Sequence, residues 1–430
     1  MKFFLPVALA LAVLPTRLSG QDSLRLGALH ASAVQHDPRA RQLELLSAQS
    51  KLRQLNLDAE RKTQLTVESQ AQYQSDVARI PIALPGGQTV PSPSKDTYDA
   101  HVAAQQRLYD PTLASRRAVE DARLAESEAR TRVSLFGVRQ QVNDAYFAAL
   151  RTQSQESEIT LGIRDLEEQL RVARARVLEG TALPSDTLAL LAEVLRRRQS
   201  VAELVASRRA TLDVLADLTG VAIDSVALLE TPDLAGAVAD TRARLGDVRA
   251  RAEYEQFARA RESLAKQAES LSAQDLPRVS AFGRLGYGRP GLNPLSNKFG
   301  DYWLAGVQLQ WAPFTWGTTS RNREVLELQR ESLAADERYF TASVRRGVAQ
   351  DLASIARLAA ISVGDDDILL LREQIAAEMR ARYAEGVVTS AQYIEKETDV
   401  ASARVSRALH RVELAQARAH FLTTLGIEVR

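Results

Sequence analysis

No proline lies between Pro111 and Pro184, and none follows Pro313. Both stretches are rich in Ala, Leu, Arg, Glu and Gln, residues that favour helix. In the first, Ile159, Ile163, Leu166, Leu170, Ala173 and Val177 recur at alternating spacings of four and three. That is a heptad seam, and a sustained heptad implies left-handed supercoiling against neighbouring helices. Ala118, Ala122, Ala125, Ala129 and Val133 continue it with small residues that allow close helix approach. Residues 113–178 therefore read as one helix of about 100 Å at 1.5 Å per residue, a length no globular core uses. Gly180 suits its C-terminus, and Pro184-Ser185 opens a return helix over 185–219. The second stretch reads the same way, with a helix over 320–384, a turn at Gly386 and a return helix over 388–425.

The parallel is a duplication. Ala175-Arg176-Val177-Leu178-Glu179-Gly180 recurs as Ala381-Arg382-Tyr383-Ala384-Glu385-Gly386, and Leu218-Thr219-Gly220-Val221 as Thr424-Leu425-Gly426-Ile427. Gln106-Arg107-Leu108-Tyr109-Asp110 lies near the position matching Trp311-Ala312-Pro313-Phe314-Thr315. Two units, 21–220 and 241–430, flank a linker at 221–240 that contains Pro232 and Gly236. A period this long marks duplication of a unit, not a solenoid.

Ahead of each long helix the period changes from heptad to two. Gln64 to Tyr73 alternates, and over 98–109 Tyr98, Ala100, Val102, Ala104 and Leu108 oppose Asp99, His101, Gln105 and Arg107. Later, Val279, Ala281, Leu285 and Tyr287 share a face, as do Trp303, Ala305, Val307, Leu309 and Trp311. The result is two hairpins, 63–110 and 278–314, with loops at 79–96 and 288–301. Strands of 10 to 12 residues suit a tilted bilayer crossing of about 9–11 residues. Val67, Val307 and Leu309 then face lipid, opposite a glutamine-rich face. Trp303 and Trp311, about 26 Å apart along a strand, match two aromatic girdles. Four strands cannot close a barrel, so several chains would have to contribute. The alternative is two hairpins on a soluble coiled-coil protein.

Residues 1–20 read as a secretory signal peptide: Lys2, a short apolar run and Leu18-Ser19-Gly20. No later stretch resembles a transmembrane helix. Lys+Arg number 55 against Asp+Glu 54, which gives no polybasic field for nucleic acid. Cysteine is absent, which excludes disulfides, thiolate metal sites and a cysteine nucleophile. No P-loop, GxSxG or HExxH occurs, so no cofactor and no enzymatic activity is expected. His30, His36, His101, His410 and His420 lack metal-ligand spacing and read as surface polar groups. Gly364-Asp365-Asp366-Asp367 reads as a solvated helix face or a local helix break. Arg196-Arg197-Arg198 reads as a solvated face.

Several short motifs then fall in one order. Gln35-His36-Asp37-Pro38 is similar to an opening "NP" segment, and Leu276-Pro277-Arg278-Val279-Ser280 to a strand-opening "LPxxS". Leu108-Tyr109-Asp110 is similar to a strand-ending "LFD", and the segments ending at Gly180 and Gly386 to a helix-tip "RyxxG". In order, spacing and duplication the chain resembles the outer-membrane efflux protein family, the TolC-like exit ducts of Gram-negative bacteria. The resemblance implies a mainly α fold with a small β part. A homotrimer would share a 12-stranded transmembrane β-barrel in outer-membrane lipid and a long coiled-coil α-barrel in the periplasm. It implies a passive duct for a tripartite efflux or type I secretion system, partnered by a periplasmic adaptor and an inner-membrane transporter. It makes Arg176, Leu178, Gly180, Arg382, Gly386 and Val387 docking tips for the adaptor. It places Asp186, Gln392 and Glu395 at the periplasmic entrance, where Gln392 departs from the family's acidic pattern. The competing reading is a periplasmic coiled-coil adaptor or scaffold without a pore.

Overall fold

The computed structural model describes residues 24–77, 92–243, 250–293 and 296–429. The segment read as a signal peptide and much of the loop at 79–96 lie outside them. Helix α1 (Leu26–His36) and helix α2 (Ala40–Ala59) precede strands β1 (Gln64–Tyr73) and β2 (Asp96–Tyr109). Helices α3 (Pro111–Leu178), α4 (Pro184–Thr219), α5 (Ala235–Ala243) and α6 (Ala252–Gln274) follow. Strands β3 (Arg278–Arg289) and β4 (Gly300–Gln310) lead into α7 (Thr318–Ala384) and α8 (Ser390–Thr424).

The uninterrupted pattern in the sequence emerges as α3 of 68 residues and α7 of 67. Pro111 begins α3, where its fixed φ suits the first turn. Asp110 accepts hydrogen bonds from the backbone N–H and hydroxyl of Thr112, at 3.0 and 2.6 Å. Among the described residues no helix is long and apolar enough to cross a membrane.

The chain packs as two compact units. One combines 43–129 with 256–336; the other holds the remaining residues. Each draws on both halves of the sequence, so the two stretches read as repeats, 21–220 and 241–430, are not the packing units. In the larger unit α1, α3, α4, α5, α7 and α8 enclose a core centred on Tyr146, Phe147, Phe421 and Leu422. The Tyr146 hydroxyl donates to the Glu230 carbonyl at 2.6 Å. The segment read as a linker belongs to this core. Leu229, Leu234 and Val238 are buried, and residues from 235 onward form α5. Pro232 and Gly236 punctuate the segment, but its apolar residues have a face to cover.

Further along the same unit, the heptad seam is packed as its spacing requires. Ile163, Leu166, Leu170 and Ala173 of α3 meet Leu190 and Val194 of α4 and Tyr393 of α8. Arg197 belongs to this seam and not to solvent. It is 5% exposed and donates to Glu193 at 2.7 Å. Gly162 makes room for it, since a Cβ there would lie 2.6 Å from the guanidinium. The Asp365–Asp367 run causes no break in α7. Asp365 lies 2.6 Å from His410 Nδ1, and Asp366 accepts from Arg407 and Arg411 of α8. Two of the three acids thus bond α7 to α8.

Candidate functional site

The smaller unit holds one antiparallel sheet in the order β1-β2-β3-β4, so the two hairpins join through β2 and β3. Register then decides what each face carries. Val67, Val102, Leu285 and Trp303 align in one cross-strand row. All four are exposed, at 81%, 46%, 65% and 73%. Leu65, Val307 and Leu309 lie on the same face and are equally open. Trp311 lies one residue beyond β4, and its indole N–H donates to the Asp275 carbonyl at 3.1 Å. Beyond Trp303 the face ends in an aromatic cluster that the two tryptophans alone do not reveal. Tyr287 and Phe299 stack at 5.7 Å, Tyr98 lies 5.9 Å from Phe299, and Arg289 covers both Tyr98 and Phe299.

The opposite face is polar and knitted together. Glu68, His101, Gly286 and Tyr302 form its central row. His101 Nδ1 lies 2.6 Å from Asp99, its Nε2 lies 3.5 Å from Glu68, and the Tyr302 hydroxyl donates to Asp99. Gly286 is required here, because a Cβ would lie 2.6 Å from the Tyr302 ring and 2.8 Å from His101 Cβ. His101 is therefore buried at 8% exposure, not a surface group, and so is His30 at 6%. His30 bonds to Asn143, 113 residues away, and His101 to Asp99, two residues away on the same strand face.

In the larger unit the two helix tips are built alike. At the first, Thr181 N–H donates to Arg176 O at 2.9 Å and Gly180 N–H to Val177 O at 3.1 Å. At the second, Val387 N–H donates to Arg382 O at 2.9 Å and Gly386 N–H to Tyr383 O at 3.1 Å. Both are Schellman motifs, with glycine in the left-handed region at φ 71° and 75°. Nothing lies within 4 Å of a Cβ built on either glycine, and Leu178 and Val387 project into solvent at 89% and 69% exposure.

The two tips also bond to each other. Arg176 Nη1 donates to Tyr383 O at 3.4 Å, and Ser390 Oγ donates to Asp186 at 2.6 Å. Tyr383 stacks on the buried Tyr393 at 5.2 Å. Asp186 is half-buried and occupied by Ser390. Glu395 is exposed, and Lys396 beside it at 2.7 Å holds its carboxyl below the usual range. Gln392 closes a capping box with Thr389: its backbone N–H donates to the Thr389 hydroxyl at 3.3 Å, and its side-chain oxygen accepts from Thr389 N–H at 3.0 Å. The departure from acid at this position thus has a local structural use. Arg382 pairs with Glu378 on its own helix. Among the described residues no cluster of His, Asp or Glu could hold a metal ion.

No protein-family model and no curated protein matches the chain. Solved structures match it over nearly its whole length. The outer membrane protein VceC of Vibrio cholerae aligns at TM-score 0.66 and 16% identity, over 94% of this chain and 97% of its own. The CmeC outer membrane channel of Campylobacter jejuni aligns at 0.64 and 13%, over 99% and 94%. The open state of the MtrE outer membrane channel of Neisseria gonorrhoeae aligns at 0.65 and 17%, over 94% and 90%. At such identities the likeness establishes fold, and the chain has the fold of the TolC-like outer-membrane channels.

Proposed function

We propose that this chain is one protomer of a homotrimeric outer-membrane channel, a passive exit duct for a tripartite efflux or type I secretion system. The observation that carries this reading is the two-faced sheet with both edges open. A face of Val67, Leu65, Trp303, Val307 and Leu309 is unfavourable in water and suited to lipid. In lipid, however, the unpaired backbone groups of β1 and β4 must find partners. These two strands run antiparallel, so β4 of one copy can continue onto β1 of the next.

The polar inner face supports a copy number above two. Two copies would give eight strands, and a barrel of that size is filled by its own side chains. Glu68, Asp99, His101, Arg284 and Tyr302 call for water on that face, which favours three copies and twelve strands around a lumen. The long helices would extend this duct into the periplasm. The glycine tips would dock a periplasmic adaptor, and an inner-membrane transporter would supply the energy. Asp186 and Glu395 would border the entrance.

The test is localisation with conductance. A heat-modifiable trimer in outer-membrane fractions and stepwise conductance in planar bilayers are the expected results. A soluble periplasmic species that conducts nothing would replace the channel with the scaffold reading.

A further inference from the structure

Four helices of the smaller unit, α2, α3, α6 and α7, line a shared cavity of about 610 Å³. On α3 the lining positions are 116, 119, 120 and 123, and on α2 they are 53, 56, 57 and 60. Both sets have the i, i+3, i+4, i+7 spacing of a single helix face. The volume is that of a site for a drug-sized molecule, and none of its lining comes from the sheet.

Part of the lining is apolar. Leu57, Val119 and Leu326 are 9%, 8% and 9% exposed, and Leu271 and Val325 extend the same surface. Charged groups share the cavity, and all but one are answered. Glu120 accepts from Arg53 at 2.9 Å. Glu60 accepts from Arg116 at 2.7 and 2.8 Å and from Arg107 at 2.6 Å. Arg123 is exposed and has no carboxylate partner among the described residues. Three lining arginines against two lining glutamates leave one positive charge.

Such a cavity suits a molecule with an apolar body and one negative charge. The body removes Leu57, Val119 and Leu326 from water, and a carboxylate or sulfonate on it takes the free guanidinium in a charge-assisted pair. A neutral molecule would leave Arg123 without a partner, and an organic cation would face it directly. We propose that this cavity binds an amphiphilic organic anion, with its apolar body against Leu57, Val119 and Leu326 and its charged group on Arg123. The site stands on the cavity alone and does not rest on the membrane reading of the sheet.

The test compares two fluorescent probes of similar body, anilinonaphthalene sulfonate, which is an anion, and phenylnaphthylamine, which is neutral. Each is titrated against the full chain in lipid nanodiscs with empty nanodiscs as blank (in plain buffer should the chain purify without lipid). The expected result is saturable binding of the sulfonate above the blank, weakened about tenfold or more in Arg123→Gln. The neutral probe should bind that variant as it binds the parent. Asn322→Tyr and Val119→Phe each place a ring in the cavity from a different helix and should abolish binding of both probes. Asn322 is exposed, so its variant keeps the test decisive should the substitution at buried Val119 fail to fold. Equal affinity of the sulfonate for parent and Arg123→Gln, or equal weakening of both probes, would overturn the assignment of an anion. Undiminished binding in Asn322→Tyr would place the probe outside the cavity and overturn the site. No saturable binding above the blank would overturn it as well, leaving a cavity that holds water.

Discussion

Two histidines in the larger unit titrate in opposite senses. Burial pushes His30 below its ordinary 6.5, and its Nε2 lies 2.8 Å from Asn143 Oδ1. The Asp351 carboxylate, 2.8 Å from His420 Nδ1, pulls His420 above 6.5. His30 binds protons more weakly folded than unfolded. Its contribution is therefore present above pH 6.5 and is lost as pH falls towards its lowered value. His420 has the reverse linkage: its contribution is full below 6.5 and is lost as pH rises through its raised value. Thermal melts from about pH 5 to about pH 8.5 should show the acid-side loss flattened in His30→Gln and the alkaline-side loss flattened in His420→Gln. Equal slopes in parent and variants would mean that neither group is linked to folding. Neither environment was legible in the sequence, because the partner of His30 is 113 residues away. Asp186 and Glu395 differ in the same local sense. Glu395 is exposed, and its removal to Ala should lower cation preference in bilayer recordings. Asp186 is bonded to Ser390, and its removal should chiefly loosen the contact between the tips.

At the scale of elements, the long helices were readable because α3 and α7 lack proline and hold their period, and the strands because period two replaces it. What a linear pattern does not contain is lateral pairing. The β2–β3 junction joins residues such as Val102 and Leu285, and the bulge at Arg107/Tyr109 shifts the register at the end of β2. The strand face yields a direct prediction. Val307→Arg should lower stability in the membrane by about 2–4 kcal/mol if it lies near the midplane, seen as reduced trimer yield in outer-membrane fractions. Assembly equal to the parent would mean that the face is not against lipid. The tips yield another. Gly386→Ala meets open space, so its effect is confined to backbone strain, roughly 1–2 kcal/mol for a left-handed residue with a Cβ. Gly386→Trp should keep the trimer while abolishing crosslinking to the adaptor. Gly220→Ala provides the contrast, since its Cβ would fall 2.3 Å from the His36 ring and His36 must move. Trimer loss in Gly386→Trp would make that glycine a structural turn alone.

At the scale of the whole molecule, both sheet edges are the same problem seen twice. A twofold arrangement would pair β1 with β1 and β4 with β4. A head-to-tail arrangement pairs β1 with β4 everywhere and closes when the rotation is complete. These alternatives are separable by covalent trapping, and the absence of native cysteine removes background. One cysteine is fixed at Val67 on β1, and a second is walked along the same face of β4 at Trp303, Ala305, Val307 and Leu309. Antiparallel neighbours bring same-face Cβ atoms to about 4.5–5.5 Å, close enough for a disulfide at a favourable position, where Cβ atoms are about 3.5–4.5 Å apart. One position should therefore give a covalent ladder in denaturing gels that ends at three chains. Val67→Cys alone should give no dimer, because no second β1 lies beside the first. Dimer from the single variant would establish the twofold pairing. A ladder ending at two or four chains would change the strand count of the barrel. No crosslink at any position would leave the edges unpaired, and with them no closed wall around a lumen.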